Sequence, residues 1–312
     1  MPSLLERDFT VRVPLPRGLD ATVRGAPGRR LERDRMAAMV REMRELAERV
    51  AGGALDYGIF EPRVGHRTHA LDHSVIALVR DREKRLVGFN VMPVLQLDWF
   101  GRSREVLHLG LVIVDPGSRG KGLTSLLYGL ACVVVFARNG LRPLLVSSVT
   151  QVPSVFGMVA STYSHVFPGE AGRPSFEQRA VARRIMAEHR AAFGVGEDAN
   201  FDARRFVIEN AYTGGSDELK KRIEDLPLHR EARFNETCLD GLDYDRGDDF
   251  LQLGTLDLDA ARRYAARFLP ARSVPGLLAS GALTTLQSLL LPALLWFDTR
   301  RPHGELAVRE AR

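Results

Sequence analysis

Two cysteines in 312 residues exclude a disulfide-stapled scaffold, and no CxxC pair or His/Cys cluster offers the spacing of a zinc site. Cys132 lies in an apolar run and Cys238 in a polar one, which reads as two reduced thiols in a non-secreted protein. Lysine is also scarce, occurring only at 84, 121, 220 and 221, so arginine supplies most of the 44 basic residues set against 39 acidic ones. The formal charge of +5 is spread along the chain, whereas a nucleic-acid footprint gathers charge on one face or helix. Nucleic acid is not an expected partner. The opening MPSLLERDFTVRV has no basic piece followed by an apolar stretch, so a signal peptide is not expected and the expected location is cytoplasmic, with membrane association as the alternative.

The chain is 45% hydrophobic, and its length suits one elaborated domain or two modest ones. TVRV at 10–13 and ATVRG at 21–25 are short strand candidates. Between Leu31 and Val50, apolar residues at Met36, Met39, Val40, Met43, Leu46 and Val50 recur at three and four, which predicts an amphipathic helix ended by Gly52 and Gly53. Residues 74–79 and 86–97 read as a strand hairpin turning at 81–84, and the apolar run 106–114 as a central strand. That strand stops at Asp115-Pro116-Gly117. A helix over 123–138, with Leu126, Leu127, Leu130, Val133 and Val134 inward, and a strand at 144–149 complete a βαβ unit.

Further on, 152–162 and 176–193 read as helices, 206–212 as strand or helix, 217–226 as helix, 240–249 as an acidic loop, 250–258 as a late strand and 259–268 as a helix. Residues 273–297 carry no charge. Pro275, Gly276, Gly281 and Pro292 interrupt them, leaving three readings: a buried helical hairpin or lid, peripheral membrane contact, or a membrane span. The first is preferred.

The segment LGLVIVDPGSRGKGLTSLL, Leu109 to Leu127, carries the chemistry. A glycine turn after a strand and before a helix aims backbone N–H groups at an anion, helped here by Arg119 and Lys121. It is neither a Walker A loop, since Lys121 is followed by Gly122, nor a dinucleotide fingerprint, whose glycine spacing differs.

Arg119-Gly120-Lys121-Gly122-Leu123-Thr124 resembles the acetyl-CoA motif of the GNAT N-acetyltransferase superfamily, Arg/Gln-x-x-Gly-x-Gly/Ala, with threonine at the last small position. The resemblance covers about 31–168. It implies an α/β (α+β) fold with a mixed, centrally splayed sheet flanked by helices. The expected organisation is an acyl-CoA-binding core at 1–168 and a large, mainly helical elaboration at 169–312.

The resemblance further implies that Leu111, Val112, Ile113 and Val114 pair with the pantetheine arm, and that Arg119, Gly120, Lys121, Gly122, Leu123 and Thr124 hold the pyrophosphate of acetyl-CoA or another acyl-CoA, with no metal. Glu105 is the first candidate base, and His108 the second, because an imidazole titrates near neutrality. The family's usual tyrosine proton donor falls on Met158, counting from Gln151 as the substitute for an asparagine, which leaves Tyr163 as the candidate donor. Asp240, Asp243, Asp245, Asp248 and Asp249 could hold a cationic amine or form a solvated turn, but lack the spacing of a calcium loop.

The implied function is acyl transfer, most readily acetyl transfer, from acyl-CoA to a primary amine of a small molecule. Two alternatives keep the fold: a long-chain acyl donor, and a CoA-binding scaffold without turnover.

Overall fold

The β-branched residues of TVRV and ATVRG pair with each other: β1 (Phe9–Leu15) and β2 (Leu19–Gly25) form an antiparallel hairpin from Phe9↔Gly25 to Leu15↔Leu19. The computed structural model describes residues 4–5, 9–15, 18–53, 58–60, 70–118, 122–169, 172–213 and 220–268. Arg119, Gly120 and Lys121 of the glycine loop lie outside the described residues, as does the apolar segment 273–297. The chain divides into two units, Met1–Tyr264 and Ala265–Arg312. Of the second, only the backbone of residues 265–268 is described.

A single turn, α1 (Pro27–Arg30), leads to α2 (Arg33–Ala51), which buries Met39, Met43, Leu46 and Ala47 as its periodicity requires. Gly52 ends α2 in the left-handed region at φ 79°, its N–H bonded to the Glu48 carbonyl. β3 (Ser74–Arg80) and the long β4 (Leu86–Trp99) form the expected hairpin.

The single strand expected over 106–114 is two: β5 (Arg102–His108) and β6 (Val112–Val114). Both lie on β4, with Leu107 opposite Val94 and Val112 opposite Asn90. Five residue steps on this strand therefore face four on β4, which is a β-bulge.

Next come α3 (Leu123–Arg138) and β7 (Leu144–Thr150), the latter parallel to β5. α3 is turned from the expected orientation. Leu123, Leu127, Tyr128, Ala131, Cys132, Val135 and Phe136 are its buried side chains, whereas Val133 is 37% exposed and Leu126, Leu130 and Val134 are only partly covered. The helix is apolar on nearly every side, so periodicity alone does not fix the face. Packing does: Gly129 lies under the Tyr264 ring, which a Cβ would meet at 1.6 Å.

The remaining elements are α4 (Pro153–Thr162), β8 (Ser164–Phe167), α5 (Phe176–His189), β9 (Asn200–Asp202), β10 (Val207–Glu209), α6 (Ala232–Gly241), β11 (Asp249–Leu256) and α7 (Leu258–Phe268). The helix expected over 217–226 does not form in its described part: 220–222 are irregular and Ile223–Asp225 make one 3-10 turn. α6 arises instead inside a charged stretch whose only buried side chains are Phe234 and Cys238. Two residues four apart give too faint a stripe to read.

Among the described residues eleven strands share one sheet, in the order β1-β2-β3-β4-β5-β7-β11-β10-β9, with β6 on β4 and β8 on β11. The late strand is therefore central: β11 runs antiparallel to β7 from Phe250↔Thr150 to Leu256↔Leu144. Because β8 also bonds β11, residues 168–248 form an insertion between two neighbouring strands. α3, α4 and α6 pack on one face of the sheet. α2 and α5 cover the other, over β3–β4 and over β5, β7 and β11.

Candidate functional site

β5 and β7 separate within the sheet. Their ladder runs Val106↔Leu145, Leu107↔Val146, His108↔Ser147, and ends with the Leu109 N–H donating to the Ser147 carbonyl at 2.7 Å. Beyond that point β6 stays on β4 while β7 continues beside β11, and among the described residues no strand pairs the edges they turn toward each other. A fork results, with unpaired main-chain groups on β6.

The bulge that opens the fork depends on Gly110. A Cβ there would stand 2.5 Å from the Val91 carbonyl oxygen, so no side chain fits. Tyr128, one turn into α3, donates its hydroxyl to the Gly110 carbonyl at 2.6 Å and holds the bend from the other layer. Sequence reasoning passed over both residues, although a glycine inside an apolar strand was the available signal.

After β6 the chain turns tightly: Asp115 Oδ1 accepts the Gly117 N–H at 2.9 Å, and the Asp115 N–H bonds the Val87 carbonyl. Gly122 precedes α3 in the left-handed region at φ 73°, where an L side chain costs about 1–2 kcal/mol. Among the described residues no side chain caps this N-terminus; Thr124 is exposed in its first turn and Leu123 is buried. The first-turn N–H groups of such a helix have no acceptor within it. A cavity of about 1190 Å³ borders the 115–118 turn, lined by Arg49, Arg80, Lys84 and Arg85 among others. These cations pair with Asp115, Glu42, Asp20 and Asp81, so the surface is charge-balanced.

Of the three expected catalytic residues, His108 alone stands at the fork. Its Nδ1 lies 3.0 Å from Ser147 Oγ and its ring packs at 4.5 Å from that of Phe193. Burial pushes its pKa down to about 3, so the imidazole is neutral. Glu105 is three residues earlier on β5, accepting the Leu4 N–H at 2.8 Å and the Gln96 amide at 2.9 Å. Tyr163 follows α4 on the α3 face, buried, with its hydroxyl 3.2 Å from Cys132 Sγ. Burial raises the Tyr163 phenol well above its usual range and lifts the Cys132 thiol to about 11.

The acidic stretch does not present five carboxylates together. Asp240, Asp243 and Asp245 are exposed, while Asp248 is buried, accepting from Arg246 and from the Asn210 and Asp243 N–H groups. Asp249 is buried at the start of β11, and desolvation raises its pKa to about 7 although the Tyr212 hydroxyl donates to it at 3.1 Å. Tyr212 in turn accepts from the Gln151 amide at 2.6 Å, and Tyr244 donates to the Gln151 carbonyl at 2.9 Å. This polar chain ties the insertion to the end of β7. Among the described residues no three His, Cys, Asp or Glu side chains gather in a metal-holding group.

No family model matches the chain, and no curated protein does. Solved structures that are similar include a probable N-acyltransferase from Enterococcus faecalis, at 16% identity over 50% of this chain and 43% of that one, with a TM-score of 0.30. Another is a ribosomal-protein-alanine N-acetyltransferase from Brucella melitensis, at 16% identity over 39% of this chain and 76% of that one, TM-score 0.26. A third is a GNAT family N-acetyltransferase from Escherichia coli in complex with CoA, at 18% identity over 24% and 38%, TM-score 0.20. Likeness this partial carries no argument. What speaks to the fold is the strand order, with its bulged strand, its fork and β11 lying between β7 and β8. The topology is GNAT-like. Within that GNAT-like sheet, the glycine-led α3 stands at the open side of the fork.

Proposed function

We propose that the protein transfers an acyl group from an acyl-CoA to the amine of a small molecule. The observation that carries this reading is the fork between β6 and β7, opened by the bulge at Gly110 and followed by a helix that begins on a glycine in the left-handed region. The residues present fit a CoA thioester. The unpaired edge of β6 offers donors and acceptors in a strand's alternation to an amide-bearing arm, and the first turn of α3 offers N–H groups to a diphosphate. Leu111, Val112, Ile113 and Val114 would hold the arm. Gly122, Leu123 and Thr124 would hold the diphosphate together with Arg119, Gly120 and Lys121. When bound, acyl-CoA supplies the acyl group as a thioester.

His108 is in place to accept a hydrogen bond, but with a pKa of about 3 it is a poor base toward an ammonium ion. The acceptor therefore reacts as the neutral amine, its proton lost to solvent beforehand. Glu105 and Tyr163 are engaged by partners away from the fork, so neither is assigned the proton transfers. That engagement also favours a second reading, a CoA-binding scaffold without turnover.

Calorimetry with CoA and thiol release from acetyl- and longer acyl-CoAs over a panel of amines separate the two. Transfer is supported by thiol release that depends on one amine class, the scaffold by CoA affinity without release. Loss of both readings follows if CoA does not bind, or if Gly122→Trp leaves binding unchanged.

A further inference from the structure

Apolar side chains are displayed at the end of the molecule away from the fork, two of them on backbone that disfavours them. Phe100 and Gly101 are the central residues of the turn joining β4 to β5, with φ of 52° and 75°. Positive φ at both positions is the geometry that favours Asn-Gly, and a bulky residue in the first is an outlier. Phe100 is nonetheless 86% exposed. Leu141, before β7, repeats the pattern at φ 58° and 53% exposure. Phe176, the first residue of α5, is 78% exposed.

The fold brings these three together. β5 and β7 are parallel and in register from Val106↔Leu145, so the turns preceding them reach the same edge. Arg104 of β5 pairs with Glu177, which fixes the start of α5 beside them. A cavity of about 420 Å³ lies there, bordered by Arg104, Pro143, His165, Ser175 and Glu177. Arg102, Arg142 and Arg173 are exposed and lie one to three residues from the apolar tips in sequence, and no carboxylate pairs with them among the described residues. Isolated apolar residues on a surface are ordinary, but three at one end accompanied by three exposed arginines are not. None of the three tips lines that cavity, so they are not the walls of one groove for a peptide or helix. They suit a deformable surface that accepts apolar side chains and offers phosphates between them.

We infer that this end docks on an anionic phospholipid surface, with Phe100, Leu141 and Phe176 entering the headgroup layer and Arg102, Arg142 and Arg173 meeting lipid phosphates. The inference stands apart from the acyl-transfer reading, since the fork opens at the other end of β5 and β7.

Cosedimentation of the full chain with vesicles of phosphatidylcholine, alone or mixed with phosphatidylglycerol, tests it. The expected result is pelleting with the mixed vesicles only, reversed by salt, and lowered roughly ten-fold by Phe100→Asn with Phe176→Ser. Phe100→Asn by itself should raise the melting temperature while weakening vesicle binding, because asparagine suits the left-handed turn. The inference is overturned if the wild type does not pellet, or if the double variant pellets equally, as it would if residues 273–297 did the binding. It is also overturned if ultracentrifugation shows self-association that the same variant abolishes.

Discussion

Tyr128 on α3 donates to the carbonyl of Gly110 at 2.6 Å, so a helix in one layer holds the bend that divides two strands in another. Tyr128→Phe keeps the ring and removes the bond, leaving a carbonyl in the bulge without this partner. The expected cost is about 1 kcal/mol in urea unfolding and a fall of roughly ten-fold in CoA affinity, measured by calorimetry. Loss of stability with unchanged affinity would place the bond outside the site.

His108 gives a pH signature. The unfolded chain binds the imidazole proton near pH 6.5, while the folded chain resists it down to about pH 3, so the unfolded state holds more protons between those values. Stability contributed above pH 6.5 is therefore lost as pH falls, by about 1.4 kcal/mol per unit. Urea titrations at pH 7.5, 6 and 5 should show a steeper fall for the wild type than for His108→Gln. Parallel curves would contradict the burial of a neutral imidazole.

Asp249 acts in the opposite direction. Its folded pKa of about 7 exceeds the unfolded value of 3.8, so the folded state holds the extra proton between them and stability drops as pH rises through that window. Asp249→Asn, which can still accept from Tyr212, should stabilise by about 2–4 kcal/mol at pH 8 and by little at pH 4. Differential scanning calorimetry at both pH values checks this, and a variant equally stable or weaker at pH 8 would contradict it.

For an active acceptor, kcat/KM should rise ten-fold per pH unit until the amine's own pKa is reached, with no second limb near neutrality. A limb near pH 6–7 that disappears in His108→Gln would instead make the imidazole a base when substrate is bound.

Much of this was legible in the sequence because short-range signals carried it. Gly122 before an apolar helix, Gly52 after an amphipathic one and the hairpin at 81–84 each form where turn chemistry places them. The bulge was hidden because LHLGLVIV is apolar on both faces, so one added residue changes no pattern. The orientation of α3 was hidden for the same reason, and it is set by Tyr264 meeting Gly129, 135 residues apart in sequence. Asp249 read as one of a solvated acidic group because its burial depends on β11 pairing with β7 across a long insertion.

Amide hydrogen exchange across Leu111–Val114, with and without CoA, tests the central claim most directly. The Val112 and Val114 amides, which alternate away from β4, should exchange quickly alone and become protected when CoA binds, together with the first turn of α3. CoA that binds while leaving both segments unprotected would place its arm elsewhere and contradict the fork as the binding site.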